Sequence, residues 1–194
     1  MSQSNIKPFE FSPLSWTRWS EFEELFGVKG ACGGCWCMYW RLGYKIFEAG
    51  KGSTNKQIMK SLVRSNRPLG IIAYHNGQPI GWCSVSPRNS LERLKTSRFF
   101  KQVDNTEVWS ITCLYILPNH RRKGLSKKLV REACVYAKTH GAKIIESYPI
   151  VPSKGEVPEV FAWVGLVSTF QRVGFFEVKR PSETRSYMRY YLDR

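Results

Sequence analysis

Apolar residues recur at helical spacing at Trp16, Trp19, Phe22, Leu25 and Phe26, which predicts a first helix over Trp16 to Phe26, ended by Gly27 and Gly30. Cys35 to Trp40 alternates instead, with Cys35, Cys37 and Tyr39 on one face and Trp36, Met38 and Trp40 on the other, and predicts a buried strand. A turn at Gly50, Gly52, Ser53 and Thr54 offers hydroxyls to cap the next helix, whose buried stripe is Ile58, Met59, Leu62 and Val63; it runs to about Ser65 and Pro68 stops it. Leu69 to Tyr74 and Ile80 to Val85 are β-rich runs joined by His75, Asn76, Gly77 and Gln78, and Asn-Gly between two such runs predicts a hairpin. Ser86 to Thr106 is polar and irregular around a short turn at Leu91 to Leu94, long enough to line a ligand.

Val108 to Leu117 alternates again. Trp109, Ile111, Cys113, Tyr115 and Leu117 are assigned to the core side, and Ser110, Thr112, Leu114 and Ile116 to the side that meets a ligand; Pro118 ends the pairing. The helix that follows buries Leu125, Leu129, Val130, Ala133 and Ala137, keeps Lys127, Lys128, Arg131, Glu132 and Lys138 wet, and stops at Gly141. Lys143 to Ile150 then reads as a strand parallel to the one before the helix, closing a βαβ unit. After a Pro-containing loop from Val151 to Glu159, Phe161 to Val173 reads as a helix ending at Gly174-Phe175, and Phe176 to Lys179 and Tyr187 to Leu192 as closing strands.

Composition sets the scale. The 194 residues, 42% hydrophobic and 14% aromatic, suffice for one ordinary domain over 1–194, with an N-terminal part of helices and cysteine-rich strand over 1–68 and a core over 69–192. Neither a membrane-length apolar run nor a secretory leader is visible, so a soluble cytoplasmic protein is expected. Thirty Lys and Arg against fifteen Asp and Glu give a net charge of +15, which attracts anions and repels polycations. The basic residues are scattered, densest at Arg121 to Lys128 and Lys179 to Arg189, with no basic tail.

Six cysteines in a chain of this size without an export signal are expected to stay reduced. Cys32 and Cys35 have the C-x-x-C spacing that zinc and redox sites use, but a closed zinc site needs four ligands and no second pair follows, so no metal is expected. The buried strand is the plainer reading of this segment, and a reactive thiol near the active site is the alternative.

The loop Arg121, Arg122, Lys123, Gly124, Leu125 and Ser126, between a strand and a helix, carries the chemistry. A helix N-terminus presents unpaired N–H groups and partial positive charge, a seat for a pyrophosphate. Cations at a helix start are mildly unfavourable unless an anion comes to them, so the triplet favours ligand binding.

The order of elements, with Pro118-x-x-Arg121-x-x-Gly124-x-Ser126 and Phe170-x-x-x-Gly174-Phe175, resembles the GNAT superfamily of acyl-CoA-dependent N-acetyltransferases over roughly residues 69 to 192. Ser126 stands where the superfamily usually has Gly or Ala. The blocks Cys32 to Arg41, Gly81-Trp82-Cys83, Val108-Trp109-Ser110 and Glu146-Ser147-Tyr148-Pro149 resemble those of a bacterial subgroup. The resemblance implies an α/β (α+β) fold with a mixed, mostly antiparallel sheet of about six or seven strands flanked by helices, and a splayed parallel pair holding acetyl-CoA. It places the pyrophosphate on the amides from Arg122 to Ser126, with Arg121, Arg122 or Lys123 reaching phosphates, and the pantetheine along Leu114, Tyr115 and Ile116 as if it were another strand.

Acetyl transfer to an amine needs a base, donors for the oxyanion, and sometimes an acid for the leaving thiolate. An N–H near Leu114 is the oxyanion donor; Glu146, or Glu107 acting through water, is the candidate base. Many members carry a tyrosine four residues before the Gly-Phe, but here that residue is Phe170, which leaves Tyr148 as the candidate acid or no protein acid at all. The implied function is transfer to a primary amine of a small molecule or peptide, and the charge argues against polycationic acceptors. An RNA-linked amine such as aminoacyl-tRNA, disfavoured by Phe170, and a non-enzymatic acyl-CoA-binding module are the alternatives. No membrane partner is implied, and a homodimer is compatible with the family.

Overall fold

The computed structural model describes residues 9–152 and 163–193. Among them, seven strands form one sheet in the order β1-β2-β3-β4-β5-β7-β6: β1 Glu10–Pro13, β2 Gly70–His75, β3 Gln78–Pro87, β4 Trp109–Ile116, β5 Ile144–Ser147, β6 Phe176–Ser182 and β7 Arg185–Tyr191. Each neighbouring pair is antiparallel except β4 and β5. The β2–β3 hairpin turns at Asn76 (φ 52) and Gly77 (φ 77), the left-handed pair that the Asn-Gly signal demands.

Helices cover both faces. α5, Leu125–Thr139, lays its expected stripe on one face, where Leu129, Val130, Ala133 and Ala137 are fully buried against Ile71, Ile80 and Ile111. α1, Trp19–Phe26, and α3, Ser53–Arg64, cover the other, where Phe22, Phe26 and Met59 pack with Ile72 and Trp82. A third cluster, Trp40, Leu91, Phe100, Tyr148 and Tyr187, fills the region beside β5 and β7. Among the described residues, no helix is long and apolar enough to cross a membrane.

Several expectations need correction. Cys35 to Trp40 is buried in large part but is not a strand: Trp36 (φ 47) and Cys37 (φ 60) are left-handed, and turn bonds from Met38 N–H to Cys35 C=O and from Arg41 N–H to Met38 C=O wind the segment on itself. The hydroxyls of Ser53 and Thr54 do not cap α3, whose N-cap is Gly52, without a side-chain cap. The helix expected over Phe161 to Val173 is only α6, Val167–Gln171, within the described residues; residues 161 and 162, and most of the loop expected before them, lie outside these. β1 and the short α2 (Tyr44–Ala49) have no counterpart among the expected elements, whereas the one-turn α4 (Glu92–Lys95) falls on the turn expected at Leu91 to Leu94.

The strict alternation along β4 is also wrong. Against β3, Ser84 pairs with Cys113 and Val85 with Ile111, so Thr112 is an extra residue, a bulge. Beyond it the faces exchange: Trp109 and Ile111 share the α5 side with Leu114, whereas Cys113 and Tyr115 join the opposite cluster around Trp82.

Candidate functional site

β4 and β5 stay paired for three residues, Trp109 with Ile145, Ser110 with Glu146 and Ile111 with Ser147, and the ladder ends where the bulge begins. The chain after β5 swings away, and Ile150 instead bridges Leu166 and Arg185. The edge of β4 from Leu114 to Ile116 therefore faces a groove of about 530 Å³ instead of a neighbouring strand. Trp163, Gly165 and Leu166 line it across from Leu114, and Ala31 and Cys32 of the N-terminal loop line it too. An unpaired strand edge in a groove offers N–H and C=O groups to an extended ligand.

The basic loop lines the same groove. Arg121, Arg122, Gly124, Leu125 and Ser126 line the groove together with Leu114, Tyr115 and Ile116; Lys123 is exposed beside it. Gly124 (φ 75) turns the chain into α5 through the left-handed region, where a side chain would be strained. The helix begins with no side-chain cap and no acidic residue in its first turn, so its leading N–H groups and dipole are available to an anion. Arg121 also braces the site, its Nε donating to the Ile116 carbonyl at 2.9 Å. Eight of the nine cofactor-binding candidates thus lie on one surface.

The proton-transfer candidates lie elsewhere. Glu146 is fully buried and both its oxygens are occupied: Oε1 accepts from Arg189 Nε at 2.9 Å, and Oε2 from the Tyr148 hydroxyl at 2.9 Å and Arg88 Nη1 at 3.4 Å. Tyr148, also buried, accepts from Arg88 and shares a hydrogen bond of 3.1 Å with Ser110 Oγ. Burial, reinforced by the adjacent Glu146 charge, pushes its phenol far above the usual tyrosine range, so it holds its proton. Glu107 lines a different cavity, of about 1170 Å³, at the opposite end of β4 with Lys101, Trp109 and His140. Phe170, fully buried against Phe175, offers no proton.

Sequence reasoning missed the residues that complete this network. Arg88 also donates to the Leu94 and Phe100 carbonyls, pinning the segment before β4, and Arg189 reaches out to Asp104. The pairing of Glu146 and Tyr148 on one strand face was readable from period two; nothing local marks Arg88 or Arg189 as buried cations in a chain of thirty.

Residues 36–154, more than half of the chain, match the acetyltransferase (GNAT) family model. No curated protein matches the sequence. Among solved structures, the fold is similar to that of PaiA N-acetyltransferase from Thermoplasma acidophilum in complex with coenzyme A, at 17% identity and a TM-score of 0.54 over 95% of this chain and 99% of that one. It is also similar to YncA, a putative acetyltransferase from Salmonella typhimurium with its cofactor acetyl-CoA (14%, 0.54, 96% and 95%), and to a chain of the NatC complex bound to Gag peptide and CoA (15%, 0.54, 95% and 99%).

Proposed function

We propose that this chain, which belongs to the GNAT acetyltransferase family, transfers the acetyl group of acetyl-CoA to a primary amine of a small molecule or peptide by direct attack. The observation that carries this reading is the continuity of one groove, which runs from an unpaired β4 edge to the uncapped, acid-free N-terminus of α5. The first suits an amide-bearing chain and the second a pyrophosphate, and coenzyme A joins both in one molecule. The coenzyme A and acetyl-CoA in similar structures support the same ligand.

In this reading the amides from Arg122 to Ser126 hold the pyrophosphate, and the guanidinium of Arg122 neutralises it. Backbone groups of Leu114, Tyr115 and Ile116 align the pantetheine, and the N–H near Leu114 supports the oxyanion, a contact worth roughly 2.7 to 4 kcal/mol. The cofactor supplies an activated thioester. Lys123, outside the groove lining, adds long-range charge. Glu146 and Tyr148 serve as positioning residues that lock β4 to β5 up to the point of divergence, since their polar atoms are already engaged. Tyr115 and Trp163 make the acceptor end aromatic, and the net charge of +15 disfavours polycations, so a neutral or acidic acceptor fits. The NatC neighbour, with its bound peptide, makes a peptide amine a natural member of the test set.

The test is a panel of amino acids, neutral amines, peptides and polyamines, read by acetyl-CoA-dependent release of free thiol. Turnover is expected with neutral or acidic acceptors and little with polyamines; the reverse ranking overturns the acceptor class, and no turnover with any amine overturns the transfer.

A further inference from the structure

Where the N-terminal segment meets α3 and the end of β3, the structure holds a cavity of about 250 Å³ that shares no lining residue with the β4 groove. Met38, Leu42, Ile58 and Leu62 make its walls apolar, and among the described residues its only charged members are Arg41 and Arg67. No acid lines it among these residues. Arg67 is exposed, whereas Arg41 is buried, 8% exposed, and forms no ion pair with an Asp or Glu among the described residues.

The guanidinium of Arg41 is held in place without being neutralised from the cavity side. Its Nη2 donates to the Leu69 carbonyl at 3.0 Å and to Ser84 Oγ at 3.1 Å, while its Nε has no hydrogen-bond partner. Ser84 Oγ is fixed in turn by Thr112 Oγ1, which donates to it at 3.2 Å. Burial works against the charge, and the groups that favour it are the thiols of Cys37 and Cys113, neither of which lines the cavity. A desolvated charge is costly until an opposite charge meets it. A guanidinium fixed in orientation suits a planar carboxylate, which it grips through paired N–H donors.

We propose that this cavity binds a small aliphatic carboxylate, with its carboxyl group on Arg41, its hydrocarbon against the apolar walls, and Arg67 adding positive charge from the exposed side. Its size sets the scale of the ligand, since drug-sized molecules occupy pockets of about 300 Å³ and more. The walls decide between anions. Phosphate is charged and strongly hydrated on every side and leaves apolar walls uncovered, whereas a short branched acid covers them and presents one charged end. The cavity is separate from the groove, so the inference holds whether or not the chain transfers acetyl groups.

The experiment titrates the folded full-length chain with sodium isovalerate by calorimetry at constant ionic strength. Isovaleramide, with the same hydrocarbon and no charge, and inorganic phosphate, with charge and no hydrocarbon, are run beside it. Saturable binding of the carboxylate alone is expected. Arg41→Met is expected to weaken it about tenfold or more, the loss that one hydrogen bond to a charged group carries. Ile58→Trp fills the cavity from a half-buried wall position, leaves Arg41 in place and is expected to abolish binding, so the test stands if Arg41→Met does not fold. Equal binding of isovalerate and isovaleramide, tighter binding of phosphate, an affinity unchanged in Ile58→Trp, or no saturable binding of isovalerate overturns the proposal. Acetyl-CoA is absent throughout, so the result stands or falls independently of the transfer activity.

Discussion

The two ends of the β4–β5 pair solve opposite problems with the same strands. At the paired end, a buried carboxylate, two buried arginines, a tyrosine and a serine fill the space between Ser110, Glu146 and β7. At the other, the Thr112 bulge and the departure of the chain after Ser147 open a groove. Fully engaged buried charge has little freedom to rearrange, and it fixes where pairing stops. An unpaired strand edge, in contrast, keeps its hydrogen-bonding groups for a ligand. The difference teaches that a carboxylate near a family motif is not thereby a base: the lone pairs of Glu146 are occupied, while the groove takes its polarity from backbone.

The strongest way to break this contrast is Glu146→Ala. It strands Arg88 and Arg189 in the interior and is expected to cost about 3 to 5 kcal/mol, or roughly 6 to 20 °C in Tm for a chain of this size. Calorimetry checks it; an unchanged Tm with turnover abolished would make Glu146 a catalytic base and remove the distinction between the two ends. Next is Gly124→Trp at the open end. Acetyl-CoA at about 100 times its Kd adds roughly 2.7 kcal/mol to the wild type, some 5 to 10 °C, and the variant is expected to lose that shift. An equal shift in both would move the cofactor out of the groove.

The smallest effect sharpens the paired end. The hydrogen bond from Arg189 holds the Asp104 carboxyl well below the usual range. Its stabilisation is therefore complete above the unfolded carboxylate pKa, near 4, and is lost as pH falls through the lower folded value. Asp104 is 44% exposed, so the gain is modest. Asp104→Asn is expected to melt slightly below wild type at pH 7 and to converge with it in acid; a gap that widens in acid would show that Asp104 carries none of the linkage.

Patterns that repeat were legible in the sequence. The Asn76-Gly77 hairpin, the buried stripe of α5, the parallel β5 and the basic loop follow from local rules of period and turn chemistry. Features that add a single exception to a period were not. Thr112 looks like any other strand residue, yet as a bulge it turns over the side chains after it, and only the register against β3 discloses it. Cys35 to Trp40 alternates well enough to pass for a strand, because its aromatic burial is real and only its left-handed backbone differs. The buried network escaped for another reason: its members are up to 85 residues apart, and long-range pairing of charges leaves no local trace.

The bulge at Thr112 also bears on how this chain tolerates change. Thr112 is surplus to the ladder: Ile111 opposite Val85 and Cys113 opposite Ser84 follow one another as if it were not there. Deleting it would close the ladder and leave Cys113 and Leu114 on the faces they now hold, whereas deleting its paired neighbour Ile111 would draw Thr112 into that register position and put a hydroxyl in the α5 core. Conservative replacements along this stretch leave that phase intact. Thr112 is thus the position in this strand where a single-codon deletion spares the side-chain phase, and its loss is expected to be less damaging than loss of the paired Ile111 beside it.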